Sequence, residues 1–368
     1  MPQVREIALF LEQQAPLQLQ ESYDNSGLLV GEPSAEVNRV LVALDMTEAV
    51  VAEALATGAQ MIVAHHPVIF KPLKRLTGQT AVERTVMAAL RGGIALYAIH
   101  TNLDNVAHGV NAMMGRKLGL EGLRVLRPVQ GHLKRLGVYV PPDHVEAVCQ
   151  AAWLAGAGKM GDYDHCSFRA PGLGTFRPGQ DAQPFSGSAG RLERAEESRV
   201  EFVVESWKMP AVLATVLGVH PYEEVPHDIT TLENAHPTAG SGMIGTLVEP
   251  MAWPDFAAHV KAAFEAPVIR HTAPANNPVQ TIAFCGGTGS FLLPDAIAAG
   301  ADIFLSSDFK YHEFFDAEDR ITIVDIGHAE AEGGICNWLV DQLVELNDHF
   351  PNFAVSLSTG STNPIYIA

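Results

Sequence analysis

The sequence predicts an α/β fold that is interrupted by a smaller α+β insert. Three observations carry this prediction. Strands alternate with helical segments in the first third of the chain, the same alternation returns in the last third, and a stretch rich in glycine and proline separates them. Strands that alternate with helices of this length form βαβ units, which build parallel sheets with right-handed crossovers. We therefore expect one α/β domain that is encoded in two parts of the sequence.

The first part contains three apolar, β-branched runs that predict buried strands, at 39–44, 61–64 and 94–99. Helical patterns follow them at about 47–57, 80–91 and 111–118. Thr80 and Glu83 have the spacing of a capping box, and Gly92-Gly93 predicts the end of the same helix. Each strand is thus followed by a helix, as a parallel sheet requires.

The last part repeats this alternation. Strands are predicted at 281–285, 302–305, 321–325 and 353–357, with helices at 294–299, 312–318 and 330–346. The middle differs, because it contains many glycines and prolines and an acidic run at 193–201. Its order of elements is strand 136–140, helix 144–155, strand 199–204 and helix 209–218. This order predicts a small α+β domain inserted into the α/β domain.

Composition narrows the possible functions of the chain. It has 368 residues with 24 Lys and Arg against 42 Asp and Glu, a net charge of −18. This charge repels phosphate backbones and anionic lipids, which disfavours a nucleic-acid or membrane partner. The four cysteines form no CxxC pair, and the first residues lack the apolar run of a signal peptide. We therefore expect a cytoplasmic protein without a disulfide framework.

Histidines and carboxylates follow three of the predicted strands. They are His65, His66, His100, Asp104, His328 and Glu332. Because open parallel sheets bind ligands at the carboxyl ends of their strands, we expect these side chains to share one sheet edge. Imidazole with carboxylate favours Zn, Fe, Mn, Co or Ni over Ca or Mg. His328 and Glu332 also stand four residues apart, so that both can reach one ion from a helix.

This set is small for two closed metal sites, but it suffices for two ions that share a carboxylate and keep open positions. Other interpretations remain open. The His65-His66 pair can belong to a turn or a core, and His100 can be a structural histidine. His328 and Glu332 can form a pair at the start of a helix, where the helix dipole favours a carboxylate.

Three further segments contain reactive side chains. The loop 286–290 either cradles a phosphate or forms a tight turn. In segment 306–312, Asp308, Lys310 and His312 are candidates for moving protons, binding an anion or orienting another group, while a polar loop with Asp308 as a helix cap is the alternative. For His165, Cys166 and His220, a structural role is favoured over a zinc site.

Five ordered motifs resemble those of the NIF-three-like (NGG-interacting-factor-three-like) dinuclear metal proteins, many of which carry the label type-two GTP cyclohydrolase I homologue. The motifs lie at 23–31, 44–47, 64–67, 100–104 and, with Gly327-His328 and Glu332, 327–332. The resemblance covers residues 1–128 and 240–368. Residues 129–239 resemble the insert of the longer bacterial members, which is similar to the ferredoxin-like PII/CutA domains.

The resemblance implies a layered α/β/α domain in two sequence halves, interrupted by a ferredoxin-like insert. It also implies two divalent metal ions per subunit and a homohexamer, a trimer of dimers. The implied ligands are His65, His66, Asp104, His328 and Glu332, with Glu332 as the bridge. The family label suggests a metal-dependent hydrolase that acts on a nucleotide-like or other anionic small molecule. The alternative is a non-enzymatic metal-binding or regulatory assembly whose insert senses a ligand.

Overall fold

The structure, a computed structural model, describes residues 1–274 and 278–367. The chain divides into two units. The first unit combines Met1–Arg127 with the residues from Thr238 onward, and the second comprises Pro128–Pro237. In the described residues, no helix is long and apolar enough to cross a membrane.

The first part contains α1 (Val4–Gln14), β1 (Gly27–Val30), β2 (Arg39–Ala43), α2 (Glu48–Thr57), β3 (Met61–Ala64), α3 (Ala81–Gly92), β4 (Ala95–Ala98), α4 (Thr101–Asp104), α5 (Val110–Lys117) and β5 (Leu120–Pro128). The middle contains β6 (Leu133–Val140), α6 (Val145–Leu154), β7 (Phe168–Phe176), β8 (Glu193–Glu205), α7 (Met209–Val219) and β9 (His227–Thr231).

The last part contains β10 (Gly240–Met251), α8 (Trp253–Ala263), β11 (Arg270–His271), β12 (Val279–Thr288), α9 (Leu293–Ala298), β13 (Ile303–Ser307), β14 (Thr322–Asp325), α10 (His328–Glu332), α11 (Ile335–Val344) and β15 (Ala354–Leu357). Short 3₁₀ helices span Leu17–Leu19, Pro142–His144, Ser290–Leu292, Tyr311–Ala317 and Glu345–Asp348.

Two sheets form the first unit. One has the order β1-β4-β3-β2-β15, in which β15, β2, β3 and β4 are parallel and β1 is antiparallel. The other has the order β11-β14-β13-β12-β10-β5, with β12, β13 and β14 parallel. The mixed α/β fold is confirmed. The expectation of one shared sheet edge was wrong, because β3 and β4 belong to the first sheet and β14 to the second.

Local sequence signals explain most element boundaries. Thr80 caps α3 by accepting a hydrogen bond from the amide of Glu83 (3.2 Å), and Gly93, whose φ of 66° is left-handed, caps the C-terminus of this helix. The capping box is only half formed. The Glu83 carboxylate instead accepts hydrogen bonds from Thr77 (2.8 Å) and Gln79 (3.1 Å), and it therefore fixes the loop before the helix.

Three predictions about the last part need correction. The helix predicted at 330–346 is split into α10 and α11 at Gly333-Gly334, where a side chain on Gly334 would collide with Met113 and Lys117 of α5. The predicted helix at 312–318 is a 3₁₀ helix. The loop expected at 286–290 begins as strand, since β12 continues to Thr288.

The second unit has the order β6-α6-β7-β8-α7-β9 and an all-antiparallel sheet with strand order β7-β8-β6-β9. This β-α-β-β-α-β sequence is that of ferredoxin-like folds. Its core is formed by alternate strand residues and the apolar faces of both helices, including Leu136, Val138, Val148, Val200, Phe202, Val212 and Val216. The acidic run at 193–201 is part of β8. The relation to PII/CutA domains stays a prediction.

Candidate metal centre

Three strand ends bring histidines and carboxylates together within the first unit. His65 and His66 follow β3 directly, Asp104 ends the short helix after β4, and α10 begins at His328, three residues after the end of β14. Although β14 belongs to the other sheet, His66 Nε2 lies 2.9 Å from Glu332 Oε2. The carboxyl ends of the two sheets therefore face each other across one cluster of side chains.

Two glycines allow this close approach. Gly287 of β12 has a φ of 63°, and a Cβ atom there would overlap the Glu332 carboxylate and lie 3.3 Å from the His328 ring. Gly327 has a φ of 89°, and its Cβ would overlap the Glu330 carboxylate. Left-handed backbone of this kind is accessible mainly to glycine. Both residues therefore leave the space that the start of α10 and its side chains occupy.

The cluster contains two groups that share Glu332. In the first, Glu332 Oε2 lies 2.9 Å from His66 Nε2 and 3.0 Å from His328 Nε2. In the second, His65 Nε2 lies 3.6 Å from Asp104 Oδ1 and 3.7 Å from Glu332 Oε2. The candidate ligand atoms of each group lie within 4.8 Å of one another, so that either group could hold a metal ion.

Oxygen atoms orient the three imidazoles. The Nδ1 atoms lie 2.8 Å from Ile99 O for His65, 2.8 Å from Asp45 Oδ1 for His66 and 2.6 Å from Asp308 Oδ2 for His328. An oxygen partner at Nδ1 fixes the proton there and leaves the Nε2 lone pair for an ion. Metal-binding histidines commonly have such a partner, so the donor set fits a metal.

The pKa values follow from burial and from the neighbouring charges. Burial lowers the pKa of His65 to about 3, so its imidazole is neutral. Burial also disfavours the charged form of His66 and His328, but carboxylate hydrogen bonds outweigh it and raise their pKa values to about 9 and about 11. Burial and the charge of Glu332 raise the pKa of Asp104. The carboxylates therefore require nearby positive charge, as protons or as metal ions.

Two buried atoms test whether an ion fits. His65 Nε2 and Asp104 Oδ1 have no hydrogen-bond partner among residues 1–274 and 278–367. A buried polar atom without a partner costs about 1–3 kcal/mol. Their separation of 3.6 Å matches the roughly 3.4 Å between two ligands of a tetrahedral ion with bonds of about 2.1 Å. A metal ion between them would give both atoms a partner. These residues are therefore suited to bind a metal ion.

A cavity of about 730 Å³ opens onto the cluster. Its aromatic lining is Tyr23, Phe70 and Phe291, and its carboxylates are Glu21, Asp45, Asp104, Asp308 and Glu332. The described lining residues include no Lys or Arg. Segment 363–365 near the end of the chain also lines the cavity, and Thr362 donates a hydrogen bond to Asp45 Oδ2 (2.6 Å). The cavity is thus strongly acidic and can admit a small molecule.

His100 also lines this cavity. Its Nδ1 lies 2.7 Å from Asp24 Oδ1, and its ring centroid lies 5.3 Å from those of His65 and His66. With these two histidines it forms a third group that could hold an ion. From the sequence, a structural role for His100 was possible. In the structure Nδ1 contacts Asp24, so Nε2 is the nitrogen that remains available to a ligand.

Of the three candidate residues in segment 306–312, the structure brings only Asp308 to the cluster. Asp308 contacts His328, whereas the Lys310 side chain is 85% exposed with Nζ 3.7 Å from Glu313. His312 is exposed and packs on Tyr311. Neither Lys310 nor His312 is among the described lining residues, so the structure does not bring them to the cluster. Their catalytic role stays a prediction.

Of the remaining sequence candidates, loop 286–290 lies beside the cluster, whereas His165, Cys166 and His220 belong to the second unit. Gly287 is adjacent to Glu332, and Thr288 donates a hydrogen bond to Asp308 (2.8 Å), so carboxylates occupy the surroundings of the expected phosphate cradle. His165 packs on Trp153, and His220 Nε2 lies 3.0 Å from the carbonyl of Tyr139. In the part of the chain that the structure describes, neither these two histidines nor Cys166 belongs to a group that could hold a metal.

Comparison with known proteins identifies relatives of this chain. A protein named GTP cyclohydrolase 1 type 2 homolog from Halalkalibacterium halodurans is 40% identical over 324 residues, which is 88% of this chain and 87% of the relative. A protein of the same name from Bacillus subtilis is 35% identical over 363 residues, 98% of this chain and 97% of the relative.

Solved structures agree with this relationship. The crystal structure of a Bacillus cereus protein related to NIF3 superimposes with a TM-score of 0.89 at 36% identity, covering 100% of this chain and 99% of the other. A Staphylococcus aureus protein superimposes with a TM-score of 0.77 at 28% identity and the same coverage. The family model Duf34/NIF3 (NGG1p interacting factor 3) matches residues 2–364. The chain therefore belongs to the Duf34/NIF3 family.

Proposed function

We propose that this protein is a metal-dependent hydrolase of small anionic molecules, with a dinuclear centre that Glu332 bridges. One observation carries the proposal. Two buried ligand atoms, His65 Nε2 and Asp104 Oδ1, have no hydrogen-bond partner among the described residues and face Glu332 beside a cavity of about 730 Å³. A purely structural cluster would have paired these atoms with each other or with neighbouring donors.

The proposed ligands form two sets. His66, His328 and Glu332 would hold one divalent ion, and His65, Asp104 and Glu332 would hold the other. Each set supplies three protein ligands, which is typical of catalytic zinc sites that keep a position open for water or substrate. The donors suit Zn, Fe, Mn, Co or Ni.

Bound ions of this kind would lower the pKa of water and polarise a carbonyl or phosphoryl oxygen of a substrate. The side chains of this protein supply the rest. Asp45 and Asp308 keep the Nε2 atoms of His66 and His328 directed at the cluster. His100, held at Nδ1 by Asp24, can exchange a proton with a substrate oxygen in the cavity through Nε2.

The charge of the cavity limits the substrate. Five carboxylates and no described Lys or Arg line it, so metal ions would supply the positive charge that an anion needs. Two divalent ions carry four positive charges, which is fewer than the five negative charges of the lining carboxylates. Each additional negative charge on a substrate is therefore disfavoured. We therefore expect substrates with one or two negative charges and a flat ring that packs on Phe70 or Tyr23. A nucleoside monophosphate meets this description better than GTP, the substrate in the relatives' name.

The experiment is metal analysis followed by turnover assays on the metal-loaded protein. We expect two ions per chain and hydrolysis of a nucleoside monophosphate or another phosphomonoester in preference to GTP. The combined change His65→Ala and Glu332→Ala should remove both ions, whereas Glu330→Gln on the same helix should retain them. Full metal retention by the double variant would refute the ligand assignment.

The non-enzymatic alternative would show both ions but no turnover of nucleotides, pterins or phosphoesters. Its supporting observation is that the second unit contains a cavity of its own. The homohexamer that the resemblance implies is a separate proposal. Sedimentation velocity tests it, because six chains of 39.5 kDa sediment far faster than one chain.

A further inference from the structure

The second unit contains a cavity of about 550 Å³ on the sheet face that α6 and α7 do not cover. Val138, Val140 and Val200 point into the helix-covered core, so Tyr139 and Arg199 point to the opposite face. Four aromatic side chains line the cavity, namely Tyr139, Phe176, Phe185 and Tyr222. Aromatic lining of this extent is typical of sites for small organic molecules.

The Glu197 carboxylate in this cavity is hydrogen-bonded by a tyrosine hydroxyl. Tyr222 donates a hydrogen bond to Glu197 Oε1 (3.0 Å), and Glu197 forms no ion pair in the described residues. The neighbouring Arg199 is instead engaged by Glu201 (2.8 Å) and Asp228 (3.2 Å). Burial and the Glu197 carboxylate raise the pKa of Tyr222 to about 12, so its hydroxyl remains a donor.

A glycine makes the space for this carboxylate. A Cβ atom on Gly174 of β7 would overlap Glu197 Oε2, so a side chain there would displace the carboxylate from its position. The second carboxylate oxygen therefore lies against bare backbone and not against a side-chain donor. The absence of a side chain at Gly174 and the hydroxyl of Tyr222 together hold Glu197 in the cavity.

The lining carries net negative charge. Among the described lining residues, Glu197, Glu223 and Glu224 are accompanied by one basic residue, Arg177. The Glu223 carboxylate accepts hydrogen bonds from the amide of Gln183 (2.9 and 3.1 Å) and so ties down the segment that bears Phe185. The Phe185 ring in turn packs on Tyr222, with centroids 5.8 Å apart.

We propose that this cavity binds a small organic cation, an ammonium or quaternary ammonium group on an apolar body, with Glu197 as its counter-ion. Aromatic rings attract such cations through their faces, and a carboxylate adds direct charge attraction. An anion would meet three carboxylates, and a neutral ligand would cover Glu197 without compensating its charge. This proposal is independent of the hydrolase proposal, because it uses only residues of the second unit.

The test is equilibrium binding of matched probes to the full chain by titration calorimetry. Benzyltrimethylammonium should bind about tenfold or more tighter than benzyl alcohol, and benzoate should bind more weakly still. The change Glu197→Gln keeps an acceptor for Tyr222 and removes the charge, so it should weaken binding of the cation about tenfold. Phe185→Ala removes an exposed aromatic side chain and should also weaken binding of the cation.

Glu196→Gln is the matched control. It removes the same charge from the adjacent, exposed position of β8, which points to the other side of the strand, and it should leave the affinity unchanged. The acidic cavity of the first unit is the same in both variants, so a loss of affinity in Glu197→Gln alone assigns the binding to the cavity of the second unit. Equal binding of benzoate and the cation, an unchanged affinity in Glu197→Gln, or no saturable binding of any probe would overturn the proposal.

Discussion

Changing Asp308 to Asn isolates the contribution of one carboxylate to the proposed metal centre. Asp308 Oδ2 lies 2.6 Å from His328 Nδ1 and accepts a hydrogen bond from Thr288 (2.8 Å). The residue has a left-handed φ of 60°, which Asn tolerates better than most residues, so the substitution should not strain the backbone. Asn also keeps an acceptor oxygen for His328 but loses the negative charge.

The expected magnitude follows from this geometry. Removing a group that orients a metal-binding histidine weakens metal affinity by about 10- to 100-fold. Because the amide oxygen can still accept the hydrogen bond, we expect the lower end, about tenfold or about 1.4 kcal/mol. Only the set His66, His328 and Glu332 should be affected, since Asp308 does not contact His65 or Asp104.

The assay is a Co²⁺ titration with a competing chelator, which resolves the two ions by affinity. Lys310→Ala and His312→Ala are controls from the same segment, and they should bind both ions as the unchanged chain does. If Asp308→Asn binds both ions with unchanged affinity but loses turnover, Asp308 moves protons and does not orient His328. That result would refute the reasoning.

Three further predictions concern stabilisation by metal, stability in acid and the independence of the two units. Zn²⁺ at about 100 times its dissociation constant should stabilise the fold by about 2.7 kcal/mol for each bound ion, and EDTA should reverse the rise in melting temperature; no shift would argue against a metal centre. Hydrogen bonds from Thr77 and Gln79 lower the pKa of Glu83 from 4.5 to about 2, so its contribution is present above about pH 4.5 and is lost as the pH falls toward 2. Glu83→Gln should flatten the loss of melting temperature over this range, and an identical acid profile would contradict the assignment. Replacing residues 129–237 by a short linker should leave a metal-binding protein, because each unit has a core of its own; insoluble protein without metal would contradict it.

The sequence predicted best those elements whose signal is local. Continuous apolar runs located β2, β3 and β4, and threonine and glycine located the ends of α3. Strands with many glycines or charged residues, β5 and β10 among them, were missed. Their strand conformation depends on pairing with neighbours, which no local pattern encodes.

Long-range geometry was predicted only in part. The spacing of His65, His66, Asp104, His328 and Glu332 after strands suggested a cluster, and the structure brings these side chains together. The expectation that one sheet carries all of them was wrong, because strand pairing partners are not visible in the hydrophobic pattern. The carbonyl of Ile99 and the hydroxyl of Thr362 were also missed, since a backbone atom or a lone hydroxyl leaves no signal in the sequence.

The contact between His66 and Glu332 has a consequence for biosynthesis. The two residues are separated by 266 positions, and a ribosome that adds about 5–20 residues per second needs roughly 13–53 s to make that stretch. During this time the nascent chain displays His65, His66 and Asp104 without the partners that α10 contributes. On the proposed assignment neither ion can be fully coordinated until translation has passed Glu332. The choice between competing metals is therefore made by the finished fold and not by the emerging chain.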